Sequence, residues 1–218
     1  MNALLALMAM LATMPSVPGD CTDTEATEAA AESGPLTLSV EAHEGVPILR
    51  ATGRIEAGAT ERIRLALQDT AIDEIWFDSM GGDNEEAGRI GALLRRSGMI
   101  ARVPAGANCA DACATAFLGG IARMVDPGGR IGIAAMPLSD QNAPLSQAER
   151  EQAAGRWAER QADHYIRAGI SRGLLRLQLE RPAGSLCWLT EEARQRYNIS
   201  NGIFAGRAPA TPPAEPTR

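Results

Sequence analysis

The sequence contains no lysine, so all 21 of its basic residues are arginine. A Schiff-base lysine, a phosphate-loop lysine and a Ser-Lys dyad are therefore excluded. Aromatic residues make up only 4% of the chain, which argues against a protein that stacks nucleic-acid bases. The formal net charge of -6 repels phosphate backbones and anionic lipids. We therefore expect neither nucleic acid nor a membrane surface as a partner.

Histidine and cysteine are also scarce. His43 and His164 are the only imidazoles, so any mechanism that needs an imidazole must use one of these two. The four cysteines are scattered, and none belongs to a C-x-x-C pair of the kind that binds metals or does redox chemistry. We therefore expect no metal site and no cofactor.

No apolar run reaches the roughly 20 residues of a membrane span, but residues 3–14 (ALLALMAMLATM) match the apolar region of an export signal. Val17 and Gly19 would permit cleavage just before Asp20. We predict a signal peptide over residues 1–19 and a periplasmic or secreted protein. Because no Arg or Lys precedes the apolar run, the alternative is a disordered start in a cytoplasmic protein.

The ends of the remaining chain lack large apolar residues. Residues 20–35 are acidic and rich in Thr and Ala, which predicts a linker, and residues 208–218 are a proline-rich tail. Between them, residues 36–207 form the predicted domain. Its first two strands alternate apolar and polar residues as a hairpin does. Short apolar strands then alternate with helices, which predicts an α/β fold with crossover connections and a largely parallel sheet.

The later helices carry clear start signals. Ser146 followed by Glu149 forms a capping box at the start of a helix over residues 145–168. Thr190 is the predicted N-cap of the last helix.

Two strand-turn-helix junctions are the candidate functional segments. The first is Ser79-Met80-Gly81-Gly82, and the second is Cys109-Ala110-Asp111-Ala112-Cys113. A Gly-Gly pair at a strand end lets backbone N–H groups face a ligand, and a helix N-terminus adds unsatisfied donors. Together they predict an oxyanion hole. The alternative is that the glycines serve only a tight turn.

The order of these motifs resembles the Clp-type peptidase subunits of the wider ClpP/crotonase superfamily, especially their exported relatives. Members of that group carry Ser-x-Gly-Gly, a Cys-x-Ser-Ala-Cys elbow, a Gly-Gly pair followed by Arg, and a Gly-x-His strand. This chain matches the last two with Gly119-Gly120 and Arg123, and with Gly132-Ile133-Ala134. The resemblance spans roughly residues 36–201. It implies a ClpP/crotonase-like fold of repeated ββα-type units with flanking helices. We expect Arg123 itself to make surface or turn contacts.

The chain departs from the family pattern at each member of the catalytic triad. Asp111 stands where the resemblance places the nucleophilic Ser, and Ala134 stands where it places the His. The Glu-Arg-Asp segment that supplies the acid in the family appears here as Glu180-Arg181-Pro182, so Pro182 stands where the resemblance places the Asp. The resemblance with these departures implies a non-catalytic binding or assembly component with a peptide or protein ligand.

Two further interpretations of Asp111 stay open. The resemblance implies an oxyanion hole built by Gly81, Gly82 and Ala112. If burial keeps Asp111 protonated beside that hole, it would act as the general acid or base of a hydrolase or an acyl-transforming enzyme. The simpler interpretation, which propensity favours, is that Asp111 is the N-cap of the helix beginning at Ala112.

The cysteines and the long helix complete the expectations. Cys109 and Cys113 are four residues apart and within disulfide reach, which leaves Cys21 and Cys187 for a second bridge among three possible pairings. In a cytoplasmic protein the same residues would be buried thiols. The resemblance also implies a homo- or hetero-oligomer with residues 145–168 as the interface, including assembly with a catalytic paralogue.

Overall fold

The computed structural model describes residues 19–22, 34–68, 71–135, 146–182 and 184–201. The predicted signal peptide up to residue 18, most of the predicted linker and the proline-rich tail lie outside these ranges. Residues 20–22 belong to the predicted linker, but Cys21–Thr22 forms the first strand of the fold. The predicted boundary between linker and domain therefore does not hold at these residues.

Nine strands and six helices follow one another along the described chain. The strands are β1 (Cys21–Thr22), β2 (Thr37–His43), β3 (Val46–Thr52), β4 (Glu74–Asp78), β5 (Ile100–Val103), β6 (Asn108–Ala110), β7 (Ala122–Val125), β8 (Arg130–Ala134) and β9 (Leu186–Leu189). The helices are α1 (Ala59–Gln68), α2 (Asn84–Arg96), α3 (Ala112–Phe117), α4 (Gln147–Ala168), α5 (Arg172–Glu180) and α6 (Glu191–Arg196). The alternation confirms the predicted α/β class.

The strands form two sheets. The five-stranded sheet has the order β2-β3-β4-β5-β7, in which only the β2–β3 hairpin is antiparallel. The four-stranded sheet has the order β1-β9-β8-β6, in which β6 and β8 are parallel and the other pairs are antiparallel. A parallel bridge between Ser79 and Cys109 joins the ends of β4 and β6. The two sheets therefore meet at the two junctions that the sequence singles out.

The core lies between the five-stranded sheet and helices α1, α2 and α3. Phe77 of β4, Ile63 of α1, Ile90 of α2 and Phe117 of α3 are all fully buried in it. Helices α2 and α3 approach each other at glycines, because a Cβ atom on Gly119 would lie 2.2 Å from a backbone oxygen of α2. Glycine at positions 91 and 119 therefore lets the middle of α2 lie directly against the segment that follows α3.

Helix caps agree with the sequence signals. Ser146 and Glu149 form both hydrogen bonds of the predicted capping box, and the Thr190 side chain accepts from the Ala193 N–H. Asp83 caps α2 by accepting from the amides of Glu85 and Glu86. No helix in the described ranges is long and apolar enough to cross a membrane.

Candidate functional site

Asp111 occupies a sharp turn between β6 and α3. Its backbone has φ 51° and ψ −116°, a conformation that side-chain-bearing residues rarely adopt. The Asp111 N–H donates to the Gly132 carbonyl at 3.0 Å, which fixes the turn to β8. The Asp111 side chain makes no capping hydrogen bond, so the N-cap interpretation is wrong. An N-cap needs an extended backbone that lets its side chain reach back to the helix amides, and the positive φ prevents this.

A disulfide encloses this turn. Cys109 and Cys113 are bonded, with their Cα atoms 5.1 Å apart, and both are fully buried. The second bridge joins Cys21 to Cys187 and attaches β1 to β9. Both bridges match the pairing expected from the sequence.

The glycine turn after β4 packs directly against Asp111. A Cβ atom on Gly81 would lie 3.1 Å from the Asp111 Cβ atom and 3.3 Å from the Ala112 nitrogen. The Gly81 N–H donates to Ser79 Oγ at 3.2 Å, so this amide is engaged inside the turn. Gly81 therefore provides space at the site, and its N–H is not available as an oxyanion donor. In that respect its predicted role needs correction.

The backbone hydrogen bonds around Gly82 differ from those of Gly81. Ile55 donates to the Gly81 carbonyl and accepts from the Asp83 N–H, both at 2.9 Å. In this parallel bridge the Gly82 N–H and C=O point away from Ile55, on the other side of the segment. A Cβ atom at position 82 would lie 2.0 Å from the Ile55 oxygen, so only glycine fits. Gly82 and Ala112 are thus the two amides left for an oxyanion hole.

Burial dominates the electrostatics of Asp111. It raises the pKa of the carboxyl, while hydrogen bonds from the Ala112 N–H and the Asn84 side chain, together with the charge of Arg54, offset part of that rise. The Ala112 amide, one of the two candidate oxyanion donors, is therefore one of the groups that lower the pKa of the Asp111 carboxyl. The adjoining cavity of about 20 Å³ has room for one water molecule.

Neutral, hydrogen-bonded groups surround Ala134, the position where the resemblance places a histidine. The Ala134 carbonyl accepts from Gln178 Nε2 at 2.7 Å, and Gln178 Oε1 accepts from the Tyr165 hydroxyl at 2.7 Å. Gln178 and Tyr165 are both buried, and burial raises the pKa of Tyr165 well above its usual range. Ala134, Gln178 and Tyr165 line the Asp111 cavity. Sequence reasoning missed the hydrogen bond between Gln178 and Tyr165, because it joins two different helices and a polar residue such as Gln178 gives no signal of its burial.

Neither histidine takes part in that network. His43 in β2 packs edge-on against Trp76, with ring centroids 4.6 Å apart. Burial lowers the pKa of His164 in α4, so the ring is neutral at pH 7, and its buried Nε2 has no hydrogen-bond partner among the described residues. His164 lines a groove of about 720 Å³ between α2 and α4. That groove adjoins the Asp111 cavity, since Asn84, Thr115, Trp157 and Gln161 line both.

The expectation that Arg123 makes surface or turn contacts is wrong. Its side chain is 1% exposed and donates to four backbone carbonyls, those of Gly120, Ala168, Asn198 and Ile199. Burial lowers the pKa of Arg123 to about 10, which still leaves it charged at neutral pH. Arg123 therefore ties the end of α4 and the segment after α6 to the core instead of making surface contacts. Within the described residues, no group of three or more His, Cys, Asp or Glu side chains is arranged to bind a metal ion.

Similarity to known proteins is found at the level of the structure. No protein-family profile and no curated protein matches the sequence. The membrane-bound stomatin-specific protease 1510-N, solved with a single substitution, superposes with a TM-score of 0.52 at 20% identity, covering 69% of this chain and 75% of that one. A point mutant of ClpP1 from Listeria monocytogenes gives a TM-score of 0.51 at 20% identity, covering 70% and 88%. ClpP1 itself gives 0.50 at 18% identity, covering 73% and 92%. The chain therefore shares the fold of these ClpP-like proteases.

Proposed function

We propose that the protein is an exported, non-catalytic member of this fold that binds a peptide or protein ligand at a degenerate peptidase site. The observation that carries the proposal is the carboxyl of Asp111 at the tip of the elbow. A carboxyl there is a poor nucleophile toward an amide, and in its ionised form it would repel an oxyanion at the Ala112 N–H. The elbow thus keeps its shape without the chemistry of acyl transfer.

The surroundings of Ala134 support the same conclusion. A methyl group cannot accept a proton, and the nearby Gln178 amide and Tyr165 hydroxyl hydrogen-bond each other and the Ala134 carbonyl. A general base for a nucleophile must lie within hydrogen-bond reach of it and titrate near neutral pH. Neither a neutral amide nor a phenol with a raised pKa meets that requirement.

The retained features suit binding. The groove of about 720 Å³ next to Asp111 is large enough for amino-acid side chains, and Trp157 offers it an aromatic surface. The Gly82 N–H faces away from Ile55 and can hydrogen-bond an extended backbone. The two disulfides support export, because such bonds persist in oxidising compartments.

A fluorophosphonate probe tests the absence of catalysis. We expect no covalent adduct by intact-mass analysis of the folded protein, and none after Asp111→Ser, because a serine at position 111 still lacks a base. The double variant Asp111→Ser/Ala134→His is the matched comparison, because it introduces both the serine hydroxyl and the histidine imidazole. A stoichiometric adduct on the wild-type protein would refute the proposal, and peptide mapping would identify the nucleophile.

A second candidate function rests on the raised pKa of Asp111. A carboxyl that stays protonated near neutral pH can serve as a general acid in a hydrolase or an acyl-transforming enzyme. This candidate predicts an activity that falls as pH rises through the raised pKa and that Asp111→Asn abolishes. Hydrolysis of acyl-thioester and peptide substrates, compared between wild type and Asp111→Asn across pH, separates it from the first proposal.

Helix α4 remains the proposed surface for assembly with a catalytic paralogue. Only Tyr165 and Ala168 of this 22-residue helix are buried, so most of its length is exposed or half-buried. Recovery of mixed complexes with a ClpP-fold peptidase under mild isolation, and their loss after charge reversal at Arg156 and Arg160, would support this surface. Purification of the native protein without such a subunit would argue against it.

A further inference from the structure

Strand β2 is the outer edge of the five-stranded sheet. It pairs with β3 on one side, and none of the described strands pairs with its other side. Its seven residues exceed the usual strand length of about 5 to 6, and it contains no proline or lysine to discourage pairing. The tight turn at Glu44 and Gly45, with φ of 51° and 82°, holds the hairpin in one register. The edge therefore presents a regular row of backbone donors and acceptors.

One face of this edge is apolar. Leu38, Val40 and Ala42 point to the same side of the strand, and Val40 is 51% exposed. The adjacent helix α1 also exposes an apolar side chain. Arg62 of α1 donates to the Leu36 carbonyl at 3.2 Å, and Leu65, one turn further on, is 48% exposed. An exposed apolar strip beside an open strand edge indicates a protein interface.

We propose that a second copy of this chain pairs with this edge, β2 against β2, antiparallel and with the two-fold axis through Val40. The sequence of β2 is self-complementary about that residue. Val40 then faces Val40 of the partner subunit, and Leu38 faces Ala42 of the partner subunit. Ser39 faces Glu41 of the partner subunit. An isologous contact of this kind closes at two copies.

The charges on the other face of β2 permit this register. Glu41 forms an ion pair with Arg50 of its own chain at 2.9 Å, so the two copies do not bring unpaired carboxylates together. Ser39 already donates to Glu41 of its own strand at 2.8 Å, and Ser39 of the partner subunit brings a second hydroxyl to that carboxylate. Cross-strand pairs of these types stabilise a sheet. The residues of this surface are not among those that line the Asp111 cavity, and the proposal does not depend on the proposed function.

Sedimentation of the full chain tests the association. We expect a dimer, and we expect Val40→Lys to weaken it about 100-fold or more, since two ammonium groups would face each other. The matched control is Val46→Lys, which changes a valine that is 57% exposed but lies on β3. The control should stay dimeric, and circular dichroism should be native for both. A monomeric wild type at about 100 μM, or equal loss in both variants, would overturn the proposal.

Cysteine cross-linking tests the register without relying on Val40→Lys. The four native cysteines are all in disulfides, so an introduced thiol reports on its own position. Val40→Cys should form a covalent homodimer under mild oxidation. Ser39→Cys and Glu41→Cys should not do so alone but should cross-link when mixed, because directly opposite Cβ atoms lie about 4.5–5.5 Å apart and diagonal ones about 7–8 Å. Equal homodimer yields at positions 39, 40 and 41 would overturn the register.

Discussion

Asp111 combines two unfavourable features, a strained backbone and a buried carboxyl, and two substitutions separate them. Asp111→Gly removes both, because glycine adopts positive φ without steric cost. Asp111→Asn keeps the side-chain shape and the strained backbone but cannot ionise. A rare backbone conformation costs about 1–3 kcal/mol, and glycine loses about 0.5–1 kcal/mol through its more flexible unfolded state. Relief of strain alone should therefore make Asp111→Gly about 0.5–2 kcal/mol more stable than Asp111→Asn.

The contribution of the carboxyl depends on pH. Burial raises the pKa of folded Asp111 above its unfolded value, so the folded state holds the proton more tightly. Between those two pKa values the wild type loses stability as pH rises, by about 1.4 kcal/mol for each unit by which the pKa is raised. Asp111→Asn should therefore be more stable than wild type at about pH 7.5, and the difference should shrink as pH falls toward about 3, where most of both states is protonated.

Urea unfolding of the three proteins at both pH values measures these differences, with equal m-values as the check that the unfolded states are comparable. The reasoning fails if wild type is the more stable protein at about pH 7.5, because the carboxylate would then be ionised and stabilised by its hydrogen bonds. It also fails if Asp111→Gly is less stable than Asp111→Asn. The elbow would then be held without strain.

Three other predictions concern the frame of the site. Because the loops span 166 and 4 residues, loss of the Cys21–Cys187 bridge should cost about 5 kcal/mol and loss of Cys109–Cys113 about 2 kcal/mol, measured by unfolding of the paired Cys→Ala variants. Arg123→Leu should destabilise the fold by about 3–5 kcal/mol, because it strands buried carbonyls, and a loss under 1 kcal/mol by thermal unfolding would contradict this. Gly82→Ala should prevent native folding because its Cβ meets the Ile55 oxygen, whereas Gly88→Ala, which meets nothing within 4 Å, should be neutral or stabilising by circular dichroism melts.

Much of the fold can be predicted from the sequence, because the signals for its strands and helices are local. The β2–β3 hairpin follows from alternation, and the Ser146 capping box and the Thr190 cap follow from single residue types at fixed spacing. The class of the fold then follows from alternating strands and helices. Strands β1 and β9 escape such reasoning, because Cys21 pairs with Leu189 across most of the chain.

The chemistry of the site was harder to predict, because it depends on contacts between residues that are distant in sequence. The position of Asp111 at an elbow follows from its motif, but its backbone conformation depends on contacts with Gly81 and Gly132. The burial of Arg123 and Gln178 is set by carbonyls and helices distant in sequence. Propensity therefore favoured a cap at position 111 and a surface role for Arg123, and tertiary packing decided otherwise.

The pairing of β1 with β9 has a consequence for the order in which the chain is completed. Cys21 is made 166 residues before its partner Cys187, an interval of about 10–30 s at ordinary rates of synthesis. Cys109 and Cys113 appear almost together in the middle of that interval, and either of them is a wrong partner for the waiting Cys21 thiol. If the short Cys109–Cys113 loop closes first, both wrong partners are removed at once. That order would leave Cys21 and Cys187 as each other's remaining partners when the last strand joins the sheet.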